Sequence, residues 1–597
     1  MLTWRYFSQV FMGVDAPIED TQRVRGAFYR GSQVLQPLSE FMHVPLDQIN
    51  YVLCGLLSIA FGHLLMRRRF SPHRTSPRVR AVVEIMLGLL LVSFCFGNQL
   101  RVLLLQSTVA YALLFFLPHS QATAILVTVW SMFYMTLVHL CRLQYDYGGY
   151  TLDISGPVMV QTQRLSSLAF NLADGRLIRQ EERRRRATKQ FNVQDKPEPV
   201  SPCLISPSPS GDMTPMDYAQ ASMQSLSSLL IRRLKSLADG SARSLSEHVM
   251  FANGRLERLR SVTPSWSGLS DQANTLTCMP PSHIEHAVDK LPGLVEFFAY
   301  TLCYHGVSVG PFIFYTEYQA YLKGYEKHQL PAVGWRYFFF ALLRTIAAGL
   351  LSAYMSPYFP FEFVLNAEFI NWPVFRRILY CTISLFLVRQ KYYFAWGLAE
   401  VGGISAGVGF TRYCPTDGRP MYEHVRNFDL RQIEAALSLK NVIDSWNIST
   451  ARWLREVFYD RLPHSIRTLP VFIISAFWHG FYPGYYLMFL TFALFTFVSR
   501  MWRRKMRTFC RQAPWTAHIY DLFTMVLTNL AINYAQAPFH LLDLSASLTC
   551  WQTFYFLPHS LCLLLQFGHL IQPRLIRSVR SARRQQIALG HGRMVGG

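Results

Sequence analysis

Apolar runs of about twenty residues, repeated along the chain, leave few folds open. Ala81 to Phe96, Val102 to Pro118 and Ala122 to Leu140 follow one another with only short polar turns between them. Each approaches the roughly 20 residues that a helix needs to cross a bilayer. In lipid the backbone must satisfy its own hydrogen bonds, so such runs become helices. Composition points the same way. Only 16% of the 597 residues are charged and 51% are apolar, whereas a soluble domain carries about 25% charge. The formal net charge of +22 then belongs in cytoplasmic loops facing anionic lipid rather than on a nucleic-acid surface. The expected fold class is an all-α polytopic membrane protein. Roughly nine to eleven transmembrane helices, plus re-entrant or interfacial helices, would surround an internal cavity.

The chain divides by composition. Residues 1–50 are expected to be a cytosolic or interfacial segment, and Met1 to Glu40 lacks the charged-then-apolar layout of a cleavable signal. Residues 51–175 hold the first group of membrane helices. There Tyr51 to Met66 is closed by Arg67, Arg68 and Arg69, which read as a cytoplasmic stop. Tyr147 to Asp174 mixes Gly, Pro, hydroxyl and apolar residues and reads as a buried or re-entrant element. Residues 176–285 form a basic, Ser/Pro-rich insertion, expected to be disordered and cytosolic. Residues 286–571 would form the core with the active site, and 572–597 a basic tail. Further apolar segments in that core include Val295 to Tyr315, Tyr337 to Tyr354, Ile378 to Val388, Ile519 to Ala535 and Trp551 to Ile571. The eleven cysteines show no CxxC pair or regular spacing. That argues against a disulfide framework or zinc site, and no metal is expected.

One stretch carries chemistry. Lys440 to Leu490 begins as an amphipathic helix pattern holding Trp446, Asn447 and Trp453, then becomes apolar with one histidine, His479, between Trp478 and Gly480. An ionisable side chain at membrane depth is costly and raises a question of function. Two readings compete: a core histidine bonded to a carbonyl, or a neutral imidazole that accepts a proton as a general base. Pro483 and Gly484 break the helix just beyond, and irregular backbone at that depth is tolerated where it lines a cavity. Asn447 reads either as a surface or capping residue, or as an amide able to orient a carbonyl and stabilise its oxyanion.

These residues carry a resemblance. Trp446, Asn447 and Trp453, followed by SAFWHGFYPGYY, resemble the signature of the membrane-bound O-acyltransferase superfamily. DISGPVMVQTQRLSSLAFNLADG (Asp153 to Gly175), VSVGPFIFYTEY (Val307 to Tyr318) and RQKYYFAWGLAE (Arg389 to Glu400) are similar to its lysophospholipid acyltransferase branch. The nearest likeness is to enzymes acting on lysophosphatidylethanolamine and lysophosphatidylserine. Family members usually carry a much shorter linker in place of the Ser/Pro-rich insertion. The resemblance implies a multi-pass enzyme of the endoplasmic reticulum membrane that uses acyl-CoA as co-substrate, without another cofactor, and a lysophospholipid as acceptor. It implies His479 as the base and Asn447 as its catalytic partner, with Trp446, Trp453 and Trp478 at substrate walls. Arg452, Arg455 and Lys440 would either meet CoA phosphates or form surface ion pairs. The alternatives are an O-acyltransferase for a sterol, diacylglycerol or protein, and a lipid transporter or scramblase using the same polar residues. Oligomeric state is not written in the sequence.

Overall fold

The computed structural model describes residues 29–149, 151–194, 279–325 and 330–567, and the backbone alone for 188–194. The expectations for 195–278 and for the tail from 572 fall outside these residues. Two compact units are present, 1–174 with 286–597, and 175–285.

Among the described residues, five helices are long and apolar enough to cross a membrane: Leu46–Arg69, Pro77–Phe116, Gln121–Tyr145, Trp335–Leu365 and Pro483–Cys510. The protein is a mostly helical, multi-pass membrane protein. Its described strands are Arg412–Tyr413 and Pro420–Met421, paired antiparallel with Arg412 opposite Met421. Ala81 to Phe96 and Val102 to Pro118, read as two spans, form one 40-residue helical path. Such a path would be roughly 60 Å long if straight, twice the hydrocarbon core. It bends at Gly97–Gln99, where Gly97 has φ 54 and a Cβ would meet the Arg30 carbonyl at 2.1 Å.

Two expectations are corrected. Val295 to Tyr315 is not a span. Only Leu294–Thr301 is helical there, eight residues, or roughly 12 Å. Gly306, Gly310 and Pro311 then hold an irregular buried segment before the short helix Tyr315–Lys323. Arg67, read with Arg68 and Arg69 as a cytoplasmic stop at the end of Leu46–Arg69, also reaches a second helix. Its guanidinium donates to the carbonyls of Ser405 at 2.6 Å and Ile404 at 3.0 Å, and to the Tyr422 hydroxyl at 3.0 Å. It thereby satisfies the last carbonyls of helix Val374–Ala406, a favourable place for a cation. The insertion is not irregular from its first residue. A helix runs from Ser155 to Gln194, and Glu181 and Arg185 pair within it at 3.0 Å.

That helix, called the central helix below, explains the odd composition of Tyr147 to Asp174. Asp153 starts it by accepting from the Ser155 amide at 3.1 Å, and is itself held by Arg142 at 2.8 Å. From Ile154 to Asp174 nearly every side chain is buried. Its polar groups act as interhelical glue. Gln161 donates to the Leu103 carbonyl at 2.6 Å, Thr162 accepts from Gln106 at 3.0 Å, and Arg164 donates to the Tyr300 and Thr301 carbonyls. Such a helix is buried without being apolar.

Candidate active site

The amphipathic pattern from Lys440 is realised as two helices, Leu439–Ser445 and Ile448–Val457. Asn447 separates them with φ 49 and ψ 55, in the left-handed region. Asn tolerates that region better than most residues, because its short side chain bonds locally. The second, "asparagine" helix buries Ser449, Thr450, Trp453, Glu456 and Val457, a stripe at helical spacing. Thr450 accepts from Gln163 at 2.8 Å, and the Trp453 indole donates to Ser166 Oγ at 2.8 Å. Gln163 and Ser166 lie one turn apart on the central helix, so the asparagine helix is docked along it. Trp453 is 0% exposed.

The Asn447 amide has a defined orientation. Asn427 Oδ1 accepts from both the amide and the hydroxyl of Ser449, at 3.0 and 2.7 Å. Asn427 Nδ2 is therefore the donor that reaches Asn447 Oδ1 at 3.2 Å. With its oxygen so engaged, Asn447 turns its own NH2 away, and that donor has no partner among the described residues. The residue is half-buried, and the open end is suited to an acceptor oxygen.

His479 ends the twelve-residue helix Thr468–His479, roughly 18 Å long and short of the ~30 Å hydrocarbon core. Gly480 then takes φ 122, and a Cβ there would lie 3.3 Å from His139 Nδ1. The chain resumes as helix at Pro483, which presets the first turn. Gly484 lets this helix approach its neighbour Pro514–Leu541, because a Cβ would fall 2.0 Å from the Pro538 carbonyl. That approach brings Phe539 edge-on to the His479 ring at 5.2 Å. Phe489 stacks on the ring at 5.3 Å and Tyr485 lies at 5.8 Å. No hydrogen bond holds the His479 nitrogens among the described residues. The carbonyl-bonded core histidine is a different residue: His139 Nε2 donates to the Trp478 carbonyl at 3.1 Å.

The two arms meet through tryptophans. Trp478 donates to the Met159 carbonyl of the central helix at 3.1 Å and packs 6.0 Å from Trp453. Trp478 is 5% exposed. Trp446 is half-buried and packs on Tyr392, Tyr393 and Trp396 of helix Val374–Ala406, at 5.8, 5.7 and 5.1 Å. Tyr392 in turn faces His540, whose neighbour Phe539 touches His479. No contact joins Asn447 to His479 directly. Rings run between them, from Trp446 to Tyr392 and His540, and Phe539, Tyr485 and Phe489 form an aromatic enclosure around His479.

Of the candidate phosphate ligands, Lys440 pairs with Asp444 on the surface and Arg452 with the buried Glu317. Glu317 belongs to a charged cluster that also takes in Glu456, at the edge of the buried stripe of the asparagine helix. His286 Nδ1 lies 2.9 Å from Glu456 and Nε2 lies 3.4 Å from Glu317, with Phe314 stacked on the ring at 3.8 Å. Burial opposes protonation of His286, but the two carboxylates outweigh it and push its pKa up to about 9. Burial also works against the charge of Glu317, yet Arg452 and the His286 imidazolium hold it well below the usual carboxylate range. His424, 3.3 Å from Glu317, is lowered to about 4 by burial despite that carboxylate. It is therefore a neutral donor rather than an ion-pair partner.

Sequence reasoning missed Asn427, His139 and the supports on the central helix. Asn427 sits in an aperiodic loop twenty positions from its partner, with no local signal. Tyr485 and Phe489 were findable, since they lie one turn apart just after the break.

Comparison with known proteins gives the family. Residues 112–536 match the model of the membrane-bound O-acyltransferase family. The chain is 30% identical over 558 residues to the membrane-bound glycerophospholipid O-acyltransferase 2 of Gallus gallus, covering 90% of this chain and 88% of that one. It is 28% identical over 554 residues to the human protein of that name, covering 90% and 87%. Lysophospholipid acyltransferase 6 of Drosophila melanogaster is 26% identical over 584 residues, covering 95% of this chain and 67% of its own length. A family match over 112–536, which takes in Asn447, His479 and the central helix, makes the assignment direct: this chain belongs to the membrane-bound O-acyltransferase family and is an O-acyltransferase enzyme.

Proposed function

We propose that this enzyme transfers a fatty acyl group from acyl-CoA to the free glycerol hydroxyl of a lysophospholipid, with lysophosphatidylethanolamine and lysophosphatidylserine as the first acceptors to test. The observation that carries the chemistry is the His479 ring, enclosed by aromatics at a broken helix end, with no hydrogen bond to its nitrogens among the described residues. The acceptor class is supported by relatives that are named glycerophospholipid or lysophospholipid acyltransferases.

In this reading a His479 nitrogen takes the proton of the acceptor hydroxyl as its oxygen attacks the thioester carbonyl. The Asn447 NH2 donates to that carbonyl oxygen, where negative charge develops. The C–S bond breaks, and the CoA thiolate takes the proton back from His479. Direct transfer needs no acyl-enzyme, so Ser475 and the cysteines hold no nucleophilic role. Trp446, half-buried beside Asn447, lines the acyl path, while Trp453 and Trp478 hold its wall in place. No cofactor beyond the co-substrate is required. The enzyme would reside in the endoplasmic reticulum membrane, with roughly nine to eleven crossings once shorter and more polar helices are counted. Acyl-CoA would enter from the cytosol and the lysophospholipid from the bilayer.

The test is a panel of acceptors with labelled oleoyl-CoA and purified enzyme in lipid nanodiscs. Labelled diacyl phospholipid from lysophosphatidylethanolamine or lysophosphatidylserine is expected. Ester formation only with a sterol or diacylglycerol, or lipid movement without any new ester, would overturn the proposal.

A further inference from the structure

The asparagine helix is docked by neutral bonds along its length, from Thr450 and Trp453 to the central helix. Its far end is held differently, by two buried charged contacts. Arg461, just beyond the helix, grips Asp174 with both guanidinium nitrogens at 3.0 and 2.6 Å. The same arginine donates through Nε to the Glu456 carbonyl at 2.9 Å and lies 4.2 Å over the Phe170 ring. One turn earlier, Glu456 faces His286. Asp174 and His286 are the two residues where the chain leaves and re-enters the larger unit, on either side of 175–285. Both ends of that departure are thus bonded to the element that begins at Asn447.

The chemistry of the His286 contact defines its form. Nδ1 faces Glu456 and Nε2 faces Glu317. A neutral imidazole has one N–H and could serve only one carboxylate, whereas an imidazolium serves both. Glu317 cannot turn away, because it also accepts from the Phe314 amide at 3.0 Å and is held by Arg452. The charged and titratable groups around His286 are Glu317, Glu456, Arg452 and His424. Together they hold a charge-balanced cluster under the asparagine helix.

We propose that His286 and Asp174 are positioning residues for acyl transfer, fixing through Glu456 and Arg461 the far end of the asparagine helix and so the reach of the Asn447 amide. This rests on Asn447 acting at the reaction centre. The ten-residue helix is short and stiff, so a shift at Glu456 is passed to Asn447 rather than absorbed between them. A misplacement of about 1 Å at a reacting group can cost about a hundredfold in rate. The contacts leave substrate affinity alone and act on turnover. Deprotonation of His286 removes the donor to one carboxylate, so turnover falls at alkaline pH.

The experiment compares purified wild type, Glu456→Gln, Asp174→Asn and Asn447→Ala in nanodiscs, measuring kcat and KM for oleoyl-CoA across pH 6 to 10. Glu456→Gln keeps shape and removes one of the carboxylates that hold the His286 proton. Both positioning variants are expected to lose about tenfold or more in kcat with KM within about twofold of wild type. The alkaline fall in kcat should move to lower pH in Glu456→Gln. If Glu456→Gln is not monodisperse, His286→Gln replaces it, and the alkaline fall should then vanish. Wild-type kcat in the positioning variants, or an alkaline limb that does not move, overturns the proposal while a dead Asn447→Ala leaves the reaction-site reading standing. Wild-type turnover in Asn447→Ala overturns that reading itself.

Discussion

Asn427 donates to the Oδ1 of Asn447 at 3.2 Å while its own oxygen is held by Ser449. This relationship turns the Asn447 NH2 outward from its left-handed backbone. Asn427→Ala is expected to lower kcat about tenfold, the equivalent of about 1.4 kcal/mol for one lost orienting bond. Steady-state kinetics on purified protein check this, and unchanged kcat would show that Asn447 orients itself.

Gly480 holds φ 122 beside the His139 ring. Gly480→Ala should cost about 1–3 kcal/mol of backbone strain at that turn. Because the turn follows His479 directly, activity should fall more than tenfold in protein that still purifies as a single species. Full activity in Gly480→Ala would mean that the turn is looser than this geometry requires.

The Trp453 indole is buried with one acceptor, Ser166. Trp453→Phe removes the donor and leaves a smaller ring, so stability should fall by about 1–3 kcal/mol. The check is thermal unfolding in detergent, which should show a lower Tm while KM for the acceptor stays near wild type. A raised KM with unchanged Tm would return Trp453 to the substrate wall.

His286 lies outside the membrane-spanning helices, and its folded-state pKa, about 9, is above the ordinary histidine value. A raised pKa means that the folded state binds the proton more tightly than the unfolded chain. The stability this supplies is fully present below about pH 6.5 and is lost as pH rises through about 9. Tm should therefore fall between pH 7 and 10 in wild type and fall less in His286→Gln. Parallel curves for the two proteins would contradict this.

Much of the site was legible because its chemistry breaks local rules. A histidine in an apolar run and an asparagine between two helical patterns both stand out, and the breaks at Asn447 and Gly480 fall beside them. The supporting parts were not legible. The central helix is buried on nearly all sides yet rich in Gln, Ser, Thr and Arg, so neither apolar periodicity nor hydropathy marks it. The capping contact of Arg67 was not legible, because sequence shows its charge and not the helix end that it meets 338 positions away. Val295 to Tyr315 looked like a span because hydropathy counts burial in protein and burial in lipid alike.

The central claim is that His479 removes the acceptor proton. The most direct measurement is single-turnover acyl transfer from labelled oleoyl-CoA by purified His479→Ala, matched to wild type for folded protein and acyl-CoA binding. Loss of a positioned general base predicts a rate lower by about 10²–10⁴-fold with acyl-CoA binding intact. A rate within about twofold of wild type would contradict the assignment and move the base elsewhere in the enclosure.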